Sequence, residues 1–185
     1  MKTIRILSAV ALLAASAAAS AANFSYDYLE GGFGELDNDG DVIQFGGSKG
    51  MDKAWGVLGS IGFADFGGNA DGTVLQGGGF MHSAINTDAD FYANIRLVYA
   101  EWDAPAGFDD NDIGFAAAGG IRYQIQDNFH VEGELSTYQL DPFDDGLGLK
   151  IAARYFFDKQ ISVAGGVASK GDYDGIFVGV RYDLK

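Results

Sequence analysis

Residues 91–99 read FYANIRLVY and alternate between two unlike sets of side chains. The set that runs from Phe91 to Tyr99 is apolar or aromatic, whereas the other set has Asn94 and Arg96 at its centre. An alternation with a period of two residues predicts a β-strand with one apolar and one polar face. Aromatic residues at both ends of the apolar face are typical of a strand that crosses a bilayer of about 25 Å apolar height.

The same alternation recurs along the chain and predicts ten strands. We expect them at residues 24–35, 41–49, 54–65, 73–83, 91–99, 113–125, 129–138, 147–157, 161–169 and 175–184. Tight connections rich in turn formers alternate with more acidic loops, among them residues 103–112, and in this pattern the short turns face the periplasm. The predicted fold is an all-β, closed antiparallel up-and-down transmembrane β-barrel of ten strands, with eight strands as the alternative.

The first 22 residues have the pattern of a secretory signal peptide. Lys2 and Arg5 precede an apolar run, and an Ala-rich segment that resembles a cleavage site ends at Ala22. The apolar run is too short to cross a membrane as a helix. We therefore expect a signal peptide at residues 1–22 and an outer-membrane barrel at residues 23–185.

The composition agrees with a membrane barrel. The chain of 185 residues has 48% apolar residues, 28 glycines, only 2 prolines and no cysteine. Without disulfides, closure of the hydrogen-bonded sheet must leave no strand edge in the lipid. The net charge of −14 argues against a nucleic-acid partner, because phosphate binding needs a basic surface.

Two stretches resemble a known family. Residues 25–33, SYDYLEGGF, are similar to a first barrel strand, and residues 179–184, GVRYDL, resemble the terminal strand signal that the barrel assembly machinery reads. The chain thus resembles small Gram-negative outer-membrane β-barrel proteins of the OmpA-type superfamily, in a subgroup once described as a secreted quorum or immune-eliciting factor. The resemblance implies contact with outer-membrane lipid and lipopolysaccharide, and dependence on the assembly machinery.

The inward faces of the predicted strands carry a network of charges. The turn centred on Asp127 places Arg122 opposite Glu132, and closure of the barrel brings Arg181 close to Glu30. Unpaired charges in a narrow lumen are costly, so Arg96 needs a partner, and Glu132 and Glu134 are candidates across the lumen. The predicted network consists of Glu30, Arg96, Arg122, Glu132, Glu134, Lys150, Arg154 and Arg181.

Two interpretations of this lumen remain open. In the first, the charge network fills a narrow interior, and the barrel has a non-enzymatic structural or surface role. In the second, the lumen is a narrow, porin-like channel for ions or small solutes. The channel is favoured by small inward residues that leave space, although these residues could instead relieve crowding around the long Arg and Glu side chains. They are Gly114, Ala116, Ala118, Gly120, Ala152, Ala164 and Gly166.

No catalytic residues, cofactor or metal site are expected. The only histidines, His82 and His130, lie near the predicted periplasmic ends of their strands, away from the outer rim where barrel enzymes need a base. Residues 37–41, DNDGD, resemble the start of a calcium loop, but Val42 stands where the required Gly would be. Weak association of the acidic loops with calcium or magnesium stays open. We expect a monomer, and contact with other cells or a host surface stays an open expectation.

Overall fold

The computed structural model describes residues 24–37, 40–65, 70–104, 108–140, 146–170 and 173–184. The predicted signal peptide lies outside these residues. Ten strands follow one another along the described chain: β1 Tyr28–Leu36, β2 Gly40–Gly50, β3 Trp55–Asp65, β4 Asp71–Ala84, β5 Ala89–Ala104, β6 Phe108–Gln126, β7 Phe129–Gln139, β8 Leu147–Phe156, β9 Ile161–Lys170 and β10 Tyr173–Asp183.

The strands form one closed antiparallel barrel. Each strand pairs with its neighbours in sequence, and β1 pairs with β10 to close the sheet. This order confirms the predicted ten-stranded up-and-down barrel in place of the alternative with eight strands. The part of the chain that the structure describes has no helix long and apolar enough to cross a membrane.

The two faces of the wall differ as the alternation predicts. On β5, Ile95 and Leu97 are 55% and 56% exposed on the outer face, whereas Tyr92 and Val98 are 4% and 1% exposed on the inner face. Exposed apolar side chains continue around the barrel, so the outer face is a belt typical of a protein embedded in lipid. The belt includes Leu29, Phe45, Val57, Leu75, Phe115, Leu135, Ile151, Val167 and Val178.

The hairpin of β5 and β6 is longer than predicted. Residues 103–112 were expected to form an acidic loop, but β5 continues to Ala104 and β6 begins at Phe108. The two strands stay paired from Tyr99 opposite Ile113 to Ala104 opposite Phe108. Backbone pairing thus continues past the apolar belt, where the alternation that marked the strands ends.

The predicted first strand is wrong at its beginning. Residues 24–27 were expected in the strand, but β1 begins at Tyr28 and Tyr26 is buried inside the barrel. Here side-chain groups replace the backbone ladder to β2: Ser48 Oγ donates to the Tyr26 carbonyl oxygen, and the Gly50 N–H donates to the Asp27 carboxylate. The Tyr26 ring thus lies inside the end of the barrel that carries the tight turns, here called the tight-turn end.

Candidate functional site

A cavity of about 1290 Å³ occupies the lumen. Its lining includes Phe24 and Asp127 at the tight-turn end, and Leu36 and Gly175 towards the opposite end, here called the loop end. Polar side chains such as Gln44 line its middle part. The cavity therefore extends along the axis of the barrel and is the candidate functional site.

One group of lumen charges surrounds Glu30 on β1. Arg181 on the neighbouring β10 approaches the carboxylate with Nε 2.8 Å from Oε2. Arg154 reaches the same oxygen from β8, with Nη2 at 2.6 Å, and donates through Nη1 to Ser162 Oγ at 3.1 Å. Two guanidinium groups therefore share one carboxylate and tie β1, β8 and β10 together across the lumen.

A second group surrounds Glu132 on β7. Its Oε2 lies 3.0 Å from Arg122 Nε, and its Oε1 lies 2.8 Å from Lys150 Nζ. Lys150 also approaches Glu134 at 3.7 Å. The hydroxyl of Tyr92 lies 2.7 Å from Glu134 and 3.0 Å from Glu132, so it joins the two carboxylates.

Strand register explains why these charges meet. Arg122 lies directly opposite Glu132 in the β6–β7 pair, and Glu30 lies directly opposite Arg181 in the β1–β10 pair. Both pairs follow from sequence, because a turn and the closure of the barrel determine which residues are neighbours. In contrast, the contact of Arg154 with Glu30 depends on reach across two intervening strands.

The predicted partner of Arg96 is wrong. Its Nη1 donates to Gln76 Oε1 at 2.8 Å, and its guanidinium lies 5.6 Å from the centre of the Tyr138 ring. Within the described ranges, Arg96 forms no ion pair with Glu132 or Glu134. Those carboxylates are already engaged by Arg122, Lys150 and the Tyr92 hydroxyl.

The small inward residues make room for large neighbours. A Cβ on Gly120 would lie 2.6 Å from both the Tyr92 hydroxyl and the Gly133 carbonyl oxygen. A Cβ on Gly166 would lie 2.1 Å from the Ile151 carbonyl oxygen and 2.9 Å from Cζ of Phe177. At these two positions the glycines leave room for aromatic rings and for the backbone of a neighbouring strand, and not for the long Arg and Glu side chains of the crowding interpretation.

Sequence reasoning missed a cluster at the tight-turn end. Tyr26 donates from its hydroxyl to Asp90, and its ring stacks on His82 with centroids 3.8 Å apart. His82 Nδ1 lies 3.5 Å from Asp90 Oδ2. The ring centroids of Phe24 and His130 lie 5.1 Å apart. Burial raises the pKa of the Tyr26 phenol well above its ordinary range, so the hydroxyl remains a donor. The alternation of the strands places Tyr26, His82 and Asp90 on the lumen face, and this was the sequence feature from which the cluster could have been predicted.

A row of carboxylates lies on the outer face near the loop end. Neighbours directly opposite one another are Glu35 and Asp41, Asp41 and Asp65, Asp65 and Asp71, and Asp71 and Asp103. Like charges in this arrangement repel one another. Among the described residues, no group of three or more His, Cys, Asp or Glu could hold a metal ion. Much of the loop sequence behind the calcium hypothesis, including residues 38–39 and 141–145, lies outside the described residues.

Comparison with known proteins places the fold among outer-membrane barrels. No protein-family model and no curated protein matches the chain, so membership of the OmpA-type superfamily stays a prediction. The KdgM porin is similar with 15% identity and a TM-score of 0.53, over 85% of this chain and 99% of the porin. The NanC porin has 12% identity and a TM-score of 0.57, over 84% of this chain and 100% of the porin.

A third similar structure is the translocator domain of the autotransporter NalP from Neisseria meningitidis. It has 11% identity and a TM-score of 0.53, and the alignment covers 99% of this chain and 95% of the domain. At these identities the likeness concerns the fold alone. The chain has the closed antiparallel barrel architecture of outer-membrane porins and related barrels.

Proposed function

We propose that this protein is an outer-membrane β-barrel whose lumen is a narrow channel for ions or small hydrophilic solutes. The observation that carries the proposal is the lumen cavity of about 1290 Å³, which has lining residues from both ends of the barrel. A polar interior of this kind holds water in porins. The architecture shared with two porins supports the same function.

The proposed location follows from the surface of the barrel. The exposed apolar belt requires lipid, because such a continuous patch in water would drive aggregation. We propose export by the signal peptide at residues 1–22, insertion by the barrel assembly machinery, and a monomer in contact with outer-membrane lipid and lipopolysaccharide. The carboxylate row then faces the polar layer above the lipid.

The charge groups set the width of the proposed channel. Arg154 and Arg181 meet Glu30 on one side of the lumen, while Arg122 and Lys150 meet Glu132 on another. Because these pairs project from several strands into one narrow space, they leave a restricted path beside them. We therefore expect a small conductance and no passage of large polymers.

A second candidate function is a non-enzymatic structural or surface barrel. It is favoured by residues 24–27, which enter the tight-turn end of the lumen and bring Tyr26 against His82 and Asp90. Together with the charge groups, this segment would close the lumen permanently. Contact with other cells or a host surface would then involve the loop end.

Planar-bilayer recording of the refolded mature chain, residues 23–185, distinguishes the two. A channel gives small, reproducible conductance steps, and a structural barrel stays silent although it shows heat-modifiable migration in detergent gels. Gln44→Trp, which adds bulk to a residue lining the cavity, should reduce the steps. Phe45→Trp, on the lipid-facing side of the same strand, is the matched control and should leave them unchanged. Equal currents in both variants would contradict conduction through the lumen.

A further inference from the structure

Arg96 differs from the other described cations of the lumen. Arg122, Lys150, Arg154 and Arg181 each lie within ion-pair distance of a carboxylate. Within the part of the chain that the structure describes, Arg96 has only the neutral oxygen of Gln76 and the face of Tyr138 as partners. Its Nε is buried and makes no hydrogen bond.

The surroundings of Arg96 strengthen its attraction for an anion. Val98 follows Arg96 on the same face of β5, and Ala116 lies directly opposite Arg96 on β6. Both belong to a buried apolar cluster with Ala100 and Leu140. A charge beside such a cluster is poorly screened by water, and one neutral acceptor and a ring face compensate it only in part.

Other polar side chains line the cavity on the strands around Arg96. Asn94 lies two residues before Arg96 on the same face of β5, and its buried Oδ1 makes no hydrogen bond. Gln44, Ser60, Gln76 and Ser136 line the cavity together with Asn94 and Arg96. Gly78 lies opposite Arg96 on β4, where the strands approach so closely that a Cβ would lie 2.0 Å from the Ile95 carbonyl oxygen. Ser60 lies directly opposite Gln76 in the β3–β4 pair, and Gln76 accepts from Arg96, so the guanidinium, two amides and a hydroxyl follow one another along the cavity wall.

We propose that Arg96, Gln76 and Asn94 form a binding site, midway along the lumen, for a small hydroxylated carboxylate. The guanidinium pairs with the carboxylate, which Arg does better than Lys because its donors form a planar fork. The amides of Gln76 and Asn94 bind the hydroxyl groups of the solute. The inference deepens the proposed function, since it places a specific solute on the path through the channel.

Calorimetry on the refolded mature chain in detergent tests the site without any current. Sodium gluconate is the probe, and glucose is the neutral comparison. We expect saturable heat from gluconate and none from glucose at the same concentration. Arg96→Gln removes charge-assisted hydrogen bonds and should weaken gluconate binding about tenfold or more. Arg96→Lys keeps the charge but loses the planar fork of donors. Its affinity for gluconate should therefore lie between those of the wild type and Arg96→Gln.

Lys53→Gln is the matched control for the loss of one positive charge. Lys53 is exposed in the turn between β2 and β3, outside the lumen, so gluconate binding should be unchanged. Heat-modifiable migration establishes that each variant is folded. Absence of saturable gluconate binding to the wild-type protein overturns the proposal, and this result does not depend on the folding of any variant. Equal binding by wild type and folded Arg96→Gln overturns it as well.

Bilayer recording separates the failure of this site from the failure of the channel. Reversal potentials in a sodium chloride gradient should shift towards cation preference in Arg96→Gln and stay unchanged in Lys53→Gln. A conducting protein without Arg96-dependent gluconate binding would overturn the site and leave the channel intact. A silent protein that still binds gluconate through Arg96 would overturn the channel and support the site.

Discussion

The hydroxyl of Tyr26 donates a hydrogen bond to Asp90, from which it is separated by 64 residues in sequence. Tyr26 precedes β1, whereas Asp90 lies at the beginning of β5, so the contact crosses the tight-turn end of the lumen. Leu184 donates to the carbonyl oxygen of Asp27 at 2.7 Å and holds the segment to the end of β10. Residues 24–27 are here called the N-terminal plug, because they hold the rings of Phe24 and Tyr26 inside this end of the barrel.

Replacement of Tyr26 by alanine should open the tight-turn end. The change removes the ring that stacks on His82 and Phe80, together with the donor to Asp90. We expect larger conductance steps in planar bilayers and a loss of stability of about 3 kcal/mol, as for other buried aromatic residues. Tyr123→Ala, on the exposed outer face, is the control. Unchanged steps in a folded Tyr26→Ala protein would show that the plug does not limit conduction.

Replacement of Glu132 by glutamine should destabilise the barrel. Arg122 would lose its carboxylate, and Lys150 would keep only the longer contact with Glu134. Breaking a buried ion pair leaves an uncompensated charge, and we expect a loss of about 3 kcal/mol in urea unfolding. Glu101→Gln makes the same chemical change at an exposed position and should stay within about 0.5 kcal/mol of the wild type. Equal losses in the two variants would contradict a structural role for the network.

The anchor of the plug should weaken in acid. Lys49 donates to the Asp27 carboxylate and, helped by the amide of Gly50, lowers the pKa of Asp27 below its usual value of about 3.9. Because the folded pKa is the lower one, the contact stabilises the protein above the unfolded pKa, and this stabilisation is lost as the pH falls through the folded pKa.

Urea unfolding of the wild type and Asp27→Asn over a pH series measures this effect. The wild type should be more stable near neutral pH, by at most about 1 kcal/mol because the pair is partly exposed. The difference should shrink as the pH drops from roughly 4 to 2. A difference that stays constant over this range would mean that titration of Asp27 does not contribute.

Two replacements of glycine by alanine should change the free energy of unfolding in opposite directions. A Cβ on Gly120 would lie 2.6 Å from the Gly133 carbonyl oxygen and from the Tyr92 hydroxyl, so Gly120→Ala should cost about 1–3 kcal/mol. A Cβ on Gly77 would meet nothing within 4 Å. Gly77→Ala should therefore stabilise the barrel by about 0.5 kcal/mol, because the unfolded chain loses freedom. Unfolding in urea measures both, and equal effects would disprove the packing argument at Gly120.

The amino-acid sequence by itself determined the wall of the barrel. A period of two residues separates the lipid face from the lumen face, and each turn makes consecutive strands neighbours. The opposition of Arg122 and Glu132 therefore follows from a count around Asp127, and that of Glu30 and Arg181 follows from closure. Such pairs are local in the sheet even where they are distant in sequence.

Only the tertiary structure decided what fills the lumen. Tyr26 meets Asp90, Arg154 meets Glu30, and Arg96 turns to Gln76 instead of Glu132 or Glu134. The first two contacts join elements that are not adjacent in the sheet, and the third depends on which carboxylates other side chains already occupy. Periodicity specifies which face a side chain is on, but reach and competition inside a narrow cavity determine its partner.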